Sequence, residues 1–301
     1  MSRSTGPERA DPGGHTVQAR DRATGELRWS ARLPARPPAP AVRGGDVLVP
    51  AGGTLYAFDR TDGTERWTRS LDSAGRVVPT VDRIYAWGER LVARAPDGTT
   101  AWRRTFDHPV AEPPAVGPSG VYAALVGGSV VALDPASGET RWTATTPRGD
   151  GDSGALSPNV STVVATTCHV FVVTDGDIYA FDTAGEFAWH ATGYVSRLAT
   201  DGAVIYARDR KPDPFRTVLR ARDAATGKLR WERPDEVASG AHGVLADGSL
   251  YVPTADELLA VAPADGRKLW GQGPSVRSLA LVDGTLYGTR RGGGSLVALD
   301  G

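Results

Sequence analysis

The chain has 301 residues, 40% of them apolar and 23% charged, a balance that buries a sizeable core and excludes a disordered tail or a collagen-like rod. With 34 basic against 35 acidic residues, the net charge of −1 gives no overall pull toward nucleic acid or an anionic membrane, so any such binding must be local. One cysteine, Cys168, permits no internal disulfide and no cysteine-rich zinc site, while 37 Gly and 22 Pro point to many turns rather than long helices.

Residues 1–14 are polar and rich in Gly, Pro and charge, and read as a flexible segment without the apolar run of a signal peptide. No window approaches the length of a transmembrane helix, so the expectation is a soluble, cytoplasmic protein. Basic residues are nearly all Arg, with Lys only at Lys211, Lys228 and Lys268, which points to a GC-rich bacterial source.

An organising repeat begins at Val17. VQARDRATGELRW (17–29) returns as LYAFDRTDGTERW (55–67), LVARAPDGTTAW (91–102), VVALDPASGETRW (130–142), IYAFDTAGEFAW (178–189), LRARDAATGKLRW (219–231) and LLAVAPADGRKLW (258–270), and LVALDG closes the chain. The period is about forty residues, as in propeller repeats. Each copy reads as a β-hairpin: an alternating strand, an Asp, a small-residue turn ending in Gly, and a short strand carrying Trp. The Gly-to-Trp spacing is four in all seven copies, from Gly25 and Trp29 to Gly266 and Trp270, and the shorter copies lose their residue before the Gly. The register therefore sets Ala opposite Trp (Ala19 and Trp29, Ala57 and Trp67, and so on), where a small methyl leaves room for an indole. Burying one indole is worth about 4 to 6 kcal/mol before entropy is counted. Trp29, Trp67, Trp102, Trp142, Trp189, Trp231 and Trp270 are the expected docking residues.

Two further strand-like runs separate successive Trp residues, as at 38–53, 113–128, 241–256 and 276–289. They supply strands A and B, and the hairpin supplies C and D. Four short antiparallel strands per repeat predict an all-β propeller, a single domain over 15–301 with seven four-stranded blades. Its ends close one blade between them, although VQARD (17–21) and LVALD (296–300) then compete for the same C position; an incomplete eighth blade is the alternative.

The pattern Ala-x-Asp-x-x-x-Gly-x-x-x-Trp, running from about residue 15 to the end, resembles the tryptophan-docking repeat of the pyrroloquinoline-quinone-like propellers. It is unlike the WD40 class, because none of the eight Trp residues is followed by Asp. The resemblance implies a Trp packed between neighbouring blades. It spans quinone-dependent alcohol and glucose dehydrogenases, the propeller lipoprotein of the outer-membrane assembly machine, and sensor domains of actinobacterial kinases, so it leaves function open. The dehydrogenase branch implies a longer disc with adjacent cysteines and a calcium site, and Cys168 has no partner cysteine. No cofactor is expected; quinone with calcium is the alternative. The lipoprotein branch implies a signal peptide and an acylated cysteine, which residues 1–15 do not display.

Several motifs are weighed and set aside. Residues 149–154, GDGDSG, have the spacing of a dinucleotide loop, but no parallel strand and helix flank them. Ser153 would need a histidine base, and His15, His108, His169, His190 and His242 are scattered over different repeats. Asp150 and Asp152 do not keep the EF-hand register, since Gly154 falls one position early. Cys168 reads as a small core residue on a strand, its side chain on the opposite face from that of His169. The recurrent Asp21, Asp59, Asp134, Asp182, Asp223 and Asp300, one per repeat, read as turn-closing residues.

Function is sought where the repeat departs from itself, in long connections. TTPRGDGDSGALSPN (145–159) lies between a D and an A strand, RDRKPDPFR (208–216) between B and C strands of the next blade, and TRRGGGS (289–295) between another B and C pair. In a propeller these loops share a face. The candidate binding face is therefore Arg148, Asp150, Asp152, Asn159, Arg208, Asp209, Arg210, Lys211, Asp213, Arg216, Arg290 and Arg291, a locally basic set with no catalytic or metal assignment. It predicts a monomeric binding or sensor module that engages a protein partner or small anionic ligand, without nucleic acid or membrane. A small enzyme, either a quinone-linked oxidoreductase or a loop-based lyase or hydrolase, is the alternative.

Overall fold

A computed structural model describes residues 14–21, 24–71, 76–146, 160–195, 198–211, 216–234, 243–254, 257–272, 276–282, 285–290 and 296–299. The described residues form strands and turns, with no helix among them, and so no helix long and apolar enough to cross a membrane.

The chain divides into two compact units, residues 1–114 with 134–139, and 115–133 with 140–301. The first unit holds the hairpin β1 (His15–Arg20) and β2 (Leu27–Leu33). It also holds the sheets β3 (Ala41–Arg43), β4 (Asp46–Ala51), β5 (Thr54–Asp59), β6 (Glu65–Ser70), and β7 (Arg76–Pro79), β8 (Ile84–Trp87), β9 (Arg90–Arg94), β10 (Thr100–Thr105).

The second unit begins with β11 (Ala115–Gly117), β12 (Gly120–Ala124), β13 (Ser129–Leu133), β14 (Thr140–Thr145). Next come β15 (Val160–Ala165), β16 (His169–Thr174), β17 (Asp177–Asp182), β18 (Phe187–Ala191), then β19 (Leu198–Thr200), β20 (Val204–Lys211), β21 (Arg216–Asp223), β22 (Leu229–Pro234). The last are β23 (Val244–Ala246), β24 (Ser249–Pro253), β25 (Leu258–Val261), β26 (Lys268–Gln272), and the three-stranded β27 (Val276–Val282), β28 (Thr285–Arg290), β29 (Leu296–Leu299).

Every sheet is an antiparallel meander in chain order, as the repeat predicts for propeller blades. Among the described residues six sheets are four-stranded; the first unit also holds the two-stranded β1–β2 and the second the three-stranded β27–β29. Of the two segments that compete for the C position, β1 pairs with β2 in the first unit and β29 pairs with β28 in the second.

The hairpin register is as predicted in all seven copies, with Ala19↔Trp29, Ala57↔Trp67, Ala93↔Trp102, Ala132↔Trp142, Ala180↔Trp189, Ala221↔Trp231 and Ala260↔Trp270. Each pair is followed by a one-residue register shift, a bulge that sharpens the local twist. The small alanine also serves a third strand. Aromatic residues of strand B pair with the same alanines, and their rings meet the indoles across the methyl: Tyr85 and Trp102 at 6.0 Å, Tyr122 and Trp142 at 5.8 Å, Phe171 and Trp189 at 5.8 Å. Tyr206 with Trp231 and Tyr251 with Trp270 repeat the contact.

The indole then docks on the C-D turn of the following repeat. A Cβ on Gly63 would lie 2.6 Å from Trp29, on Gly98 2.7 Å from Trp67, and on Gly138, within the turn grouped with the first unit, 2.5 Å from Trp102. In the second unit Gly185, Gly227 and Gly266 stand the same way against Trp142, Trp189 and Trp231. Indole N–H groups donate to carbonyls of these turns, as Trp29 to Arg60 (3.0 Å), Trp102 to Pro135 (2.9 Å), Trp142 to Thr183 (2.9 Å), Trp189 to Ala224 (3.0 Å) and Trp231 to Pro263 (2.8 Å). Between sheets the core is apolar, for instance Phe171, Val173, Ile178 and Ala180 against Ile205 and Ala207.

Candidate binding face

The second unit departs from its own repeat at the β20–β21 hairpin. Each of its strands has eight residues, against four to six in the B and C strands of other sheets. The stretch 208–216, expected to be a loop, is mostly strand: pairing runs from Val204↔Asp223 out to Lys211↔Arg216. Strand β19 pairs only as far as Ala207, and β22 only as far as Val218. Beyond those points, among the described residues, β20 and β21 continue as a two-stranded arm.

A polar network secures the foot of the arm. Asp209, 2% exposed, accepts the Tyr194 N–H at 2.7 Å and pairs with the Arg220 guanidinium, whose Nε donates to Glu232 at 2.9 Å. Asp177, also 2% exposed, accepts the Gly193 N–H at 3.0 Å and sits 3.1 Å from His190 Nε2, whose ring stacks on Tyr179 at 4.7 Å. The Val195 N–H donates to the Gly176 carbonyl at 2.8 Å. Three consecutive N–H groups of the D-to-A connection are thus held by two carboxylates and a turn. The approach is close: a Cβ on Gly193 would meet Asp209 Oδ2 at 2.9 Å, and one on Gly176 would meet the Gly193 carbonyl at 2.9 Å. Tyr194 is left 60% exposed on this fixed backbone. Burial, and then the nearby Arg220 charge, lowers the pKa of Arg222, while Asp209 and Glu232 act in the opposite direction.

Among the described residues His190 bonds to Asp177 and to no Ser, Thr or Cys, so the pair completes no nucleophilic triad. No group of three His, Cys, Asp or Glu is placed to hold a metal ion among the described residues.

A family model described as outer membrane protein assembly factor BamB matches residues 13–86, 87–240 and 215–301, nearly the whole chain. The chain belongs to this family. No curated protein sequence matches it. Among solved structures, BamB from Moraxella catarrhalis superposes with a TM-score of 0.71 at 18% identity, over 92% of this chain and 88% of that one. The computationally designed Ika8 protein gives 0.72 at 14% over 94% and 90%, and a europium-containing methanol dehydrogenase 0.63 at 13% over 90% and 78%. These likenesses establish the fold.

In this BamB-family propeller the sequence-derived face is only partly brought together. Arg148, Asp150, Asp152, Ser153, Gly154 and Asn159, together with Asp213 and Arg291, lie outside the described residues, as do residues 1–13 and Asp300. Arg208, Asp209, Arg210, Lys211 and Arg216 belong to strands rather than a loop. Arg208 is half-buried, and Asp209 is a buried anchor instead of a contact residue. Arg290 ends β28, paired with Val276, and is not in the B-to-C loop.

Cys168 is corrected as well: it is exposed in the turn before β16. The buried position there belongs to Thr166, whose hydroxyl accepts the His169 N–H at 3.0 Å. The turn-closing reading of the aspartates holds for Asp21, Asp59, Asp134, Asp182 and Asp223, each accepting N–H groups of its own turn. Sequence reasoning missed Asp177, Tyr194, Arg220 and Glu232. The available signal was charge inside strands, Asp209 and Arg220, where an alternating pattern asks for a partner.

Proposed function

We propose that this chain is a non-catalytic binding module that engages a protein partner through the face formed by Tyr194 and the β20–β21 arm. The observation that carries the reading is Tyr194, 60% exposed on a segment whose three consecutive N–H groups are all bonded. An aromatic anchor that loses little conformational freedom on binding is what hot spots favour, and arginine-rich surroundings add to it. The description of the family as an assembly factor accords with partner binding rather than turnover. The methanol dehydrogenase likeness, at 13% identity, is one of fold.

A photo-crosslinking residue placed at position 194, and separately at Ala225 in the exposed C-D turn at the other end of β21, tests this in cells. A discrete protein adduct from position 194 and none from 225 is expected; adducts from 225 alone would overturn the assignment of the face.

A further inference from the structure

We propose that the first unit holds a second binding site, for a small organic monocarboxylate with a branched apolar tail, in the cleft between the β3–β4 and β7–β8 turns.

The cleft has a volume of about 620 Å³, within the range of small-molecule sites, and Val42, Arg43, Gly44, Asp46, Pro79 and Val81 stand among its lining residues. All of them belong to the first unit, so the site needs no contribution from the second. Its apolar walls face water: Val42 is 57% exposed and Val81 84%. The backbone that presents them is fixed. The Thr80 N–H donates to the Arg83 carbonyl at 2.8 Å, and the Arg83 N–H donates to the Thr80 hydroxyl at 3.1 Å. From the neighbouring sheet Arg43 reaches across, donating from Nε to the Thr80 carbonyl at 2.9 Å and from Nη2 to the Val81 carbonyl at 2.6 Å. One arginine thus ties the two turns together and holds the cleft open in one shape, so a ligand meets a site that is already formed.

The polar groups left over select the ligand. Carbonyls hold the Arg43 guanidinium without neutralising it, and its Nη1 has no partner among the described residues. Asp46 lies opposite Arg43 in the strand register, yet its carboxylate bonds to Arg66 at 2.6 Å, and Arg66 also pairs with Asp59. The Thr80 and Val81 carbonyls already accept from Arg43. The cleft therefore presents a charged donor that calls for an anionic acceptor. Asp46 beside it limits that acceptor to a single negative charge, which favours a carboxylate over phosphate. The two exposed valines call for the apolar tail, because covering them removes apolar surface from water.

The test is methyl NMR of the full chain titrated with isovalerate, with isovaleramide, acetate and inorganic phosphate as the other arms. Isovalerate is expected to shift the Val42 and Val81 methyl signals saturably. Isovaleramide, which keeps the tail and loses the charge, and acetate, which keeps the charge and loses the tail, should each bind several-fold more weakly, and phosphate should not compete. Arg43→Gln should weaken isovalerate about tenfold. Because that variant also loosens the turns, Val81→Ser at an exposed position is the second reading: it should weaken binding several-fold at an unchanged melting temperature, while Leu229→Ser in the second unit should leave binding as it is. Shifts that do not saturate, equal binding of isovalerate and isovaleramide, or full affinity in both Arg43→Gln and Val81→Ser would overturn the proposal.

Discussion

Each C-D turn ends in a glycine that answers two demands at once. Gly227 has φ of +69°, and a Cβ there would lie 2.6 Å from Trp189. Gly25 separates the demands, with φ of +73° and no described atom within 4 Å of its Cβ position. Gly25→Ala should therefore cost about 1 to 2 kcal/mol, the left-handed penalty alone. Gly227→Ala should cost clearly more, because it also drives Trp189 off its bond to Ala224; urea unfolding of the two variants compares them directly. Trp189→Ala should lose about 3 to 5 kcal/mol by the same measurement, as large-to-small core changes do.

The turn aspartates carry a pH signature. The Arg230 bond, followed by that from Thr226, lowers the Asp223 carboxyl to about 2 from 3.8. A depressed folded-state pKa gives stability that is fully present above the unfolded value and lost as pH falls through the folded one. Asp223→Asn should accordingly melt below wild type above pH 4 and converge with it near pH 2. At this scale the sequence was most readable, since Ala, Asp, Gly and Trp each do a local job at a constant spacing.

At the scale of the element, the β20–β21 arm shows how an alternation argument fails. Arg208, Asp209, Arg210 and Lys211 offer no apolar period, and the two prolines that follow resemble loop punctuation, so the stretch reads as a connection. It is strand because the neighbouring strand pairs with it and because Asp209 has Arg220 and the Tyr194 N–H to satisfy it in a buried place. Asp209→Ala leaves Arg220 facing a hole and the Tyr194 amide without its acceptor, and should cost about 3 to 5 kcal/mol, as broken buried pairs do. Asp209→Asn keeps an acceptor. Hydrogen exchange should therefore show the Tyr194 amide exposed in the alanine variant and still slowed in the asparagine one.

For the molecule as a whole, the propeller fold is shared by binding proteins and quinone enzymes, so function is decided by what its strands carry beyond the repeat. Incubation with pyrroloquinoline quinone and calcium should leave the melting temperature unmoved and produce no dye reduction with alcohols or sugars; reproducible turnover would return the chain to the enzymes. The sequence alone determined the repeat, its hairpin register and the residues that dock one turn on the next, because those depend on spacings of a few residues that recur about every forty. Only the tertiary structure decided the site. Asp177, Gly193, Tyr194, Asp209 and Arg220 meet through contacts between adjacent sheets and across one unusually long hairpin, and no period within the chain encodes separations that occur once.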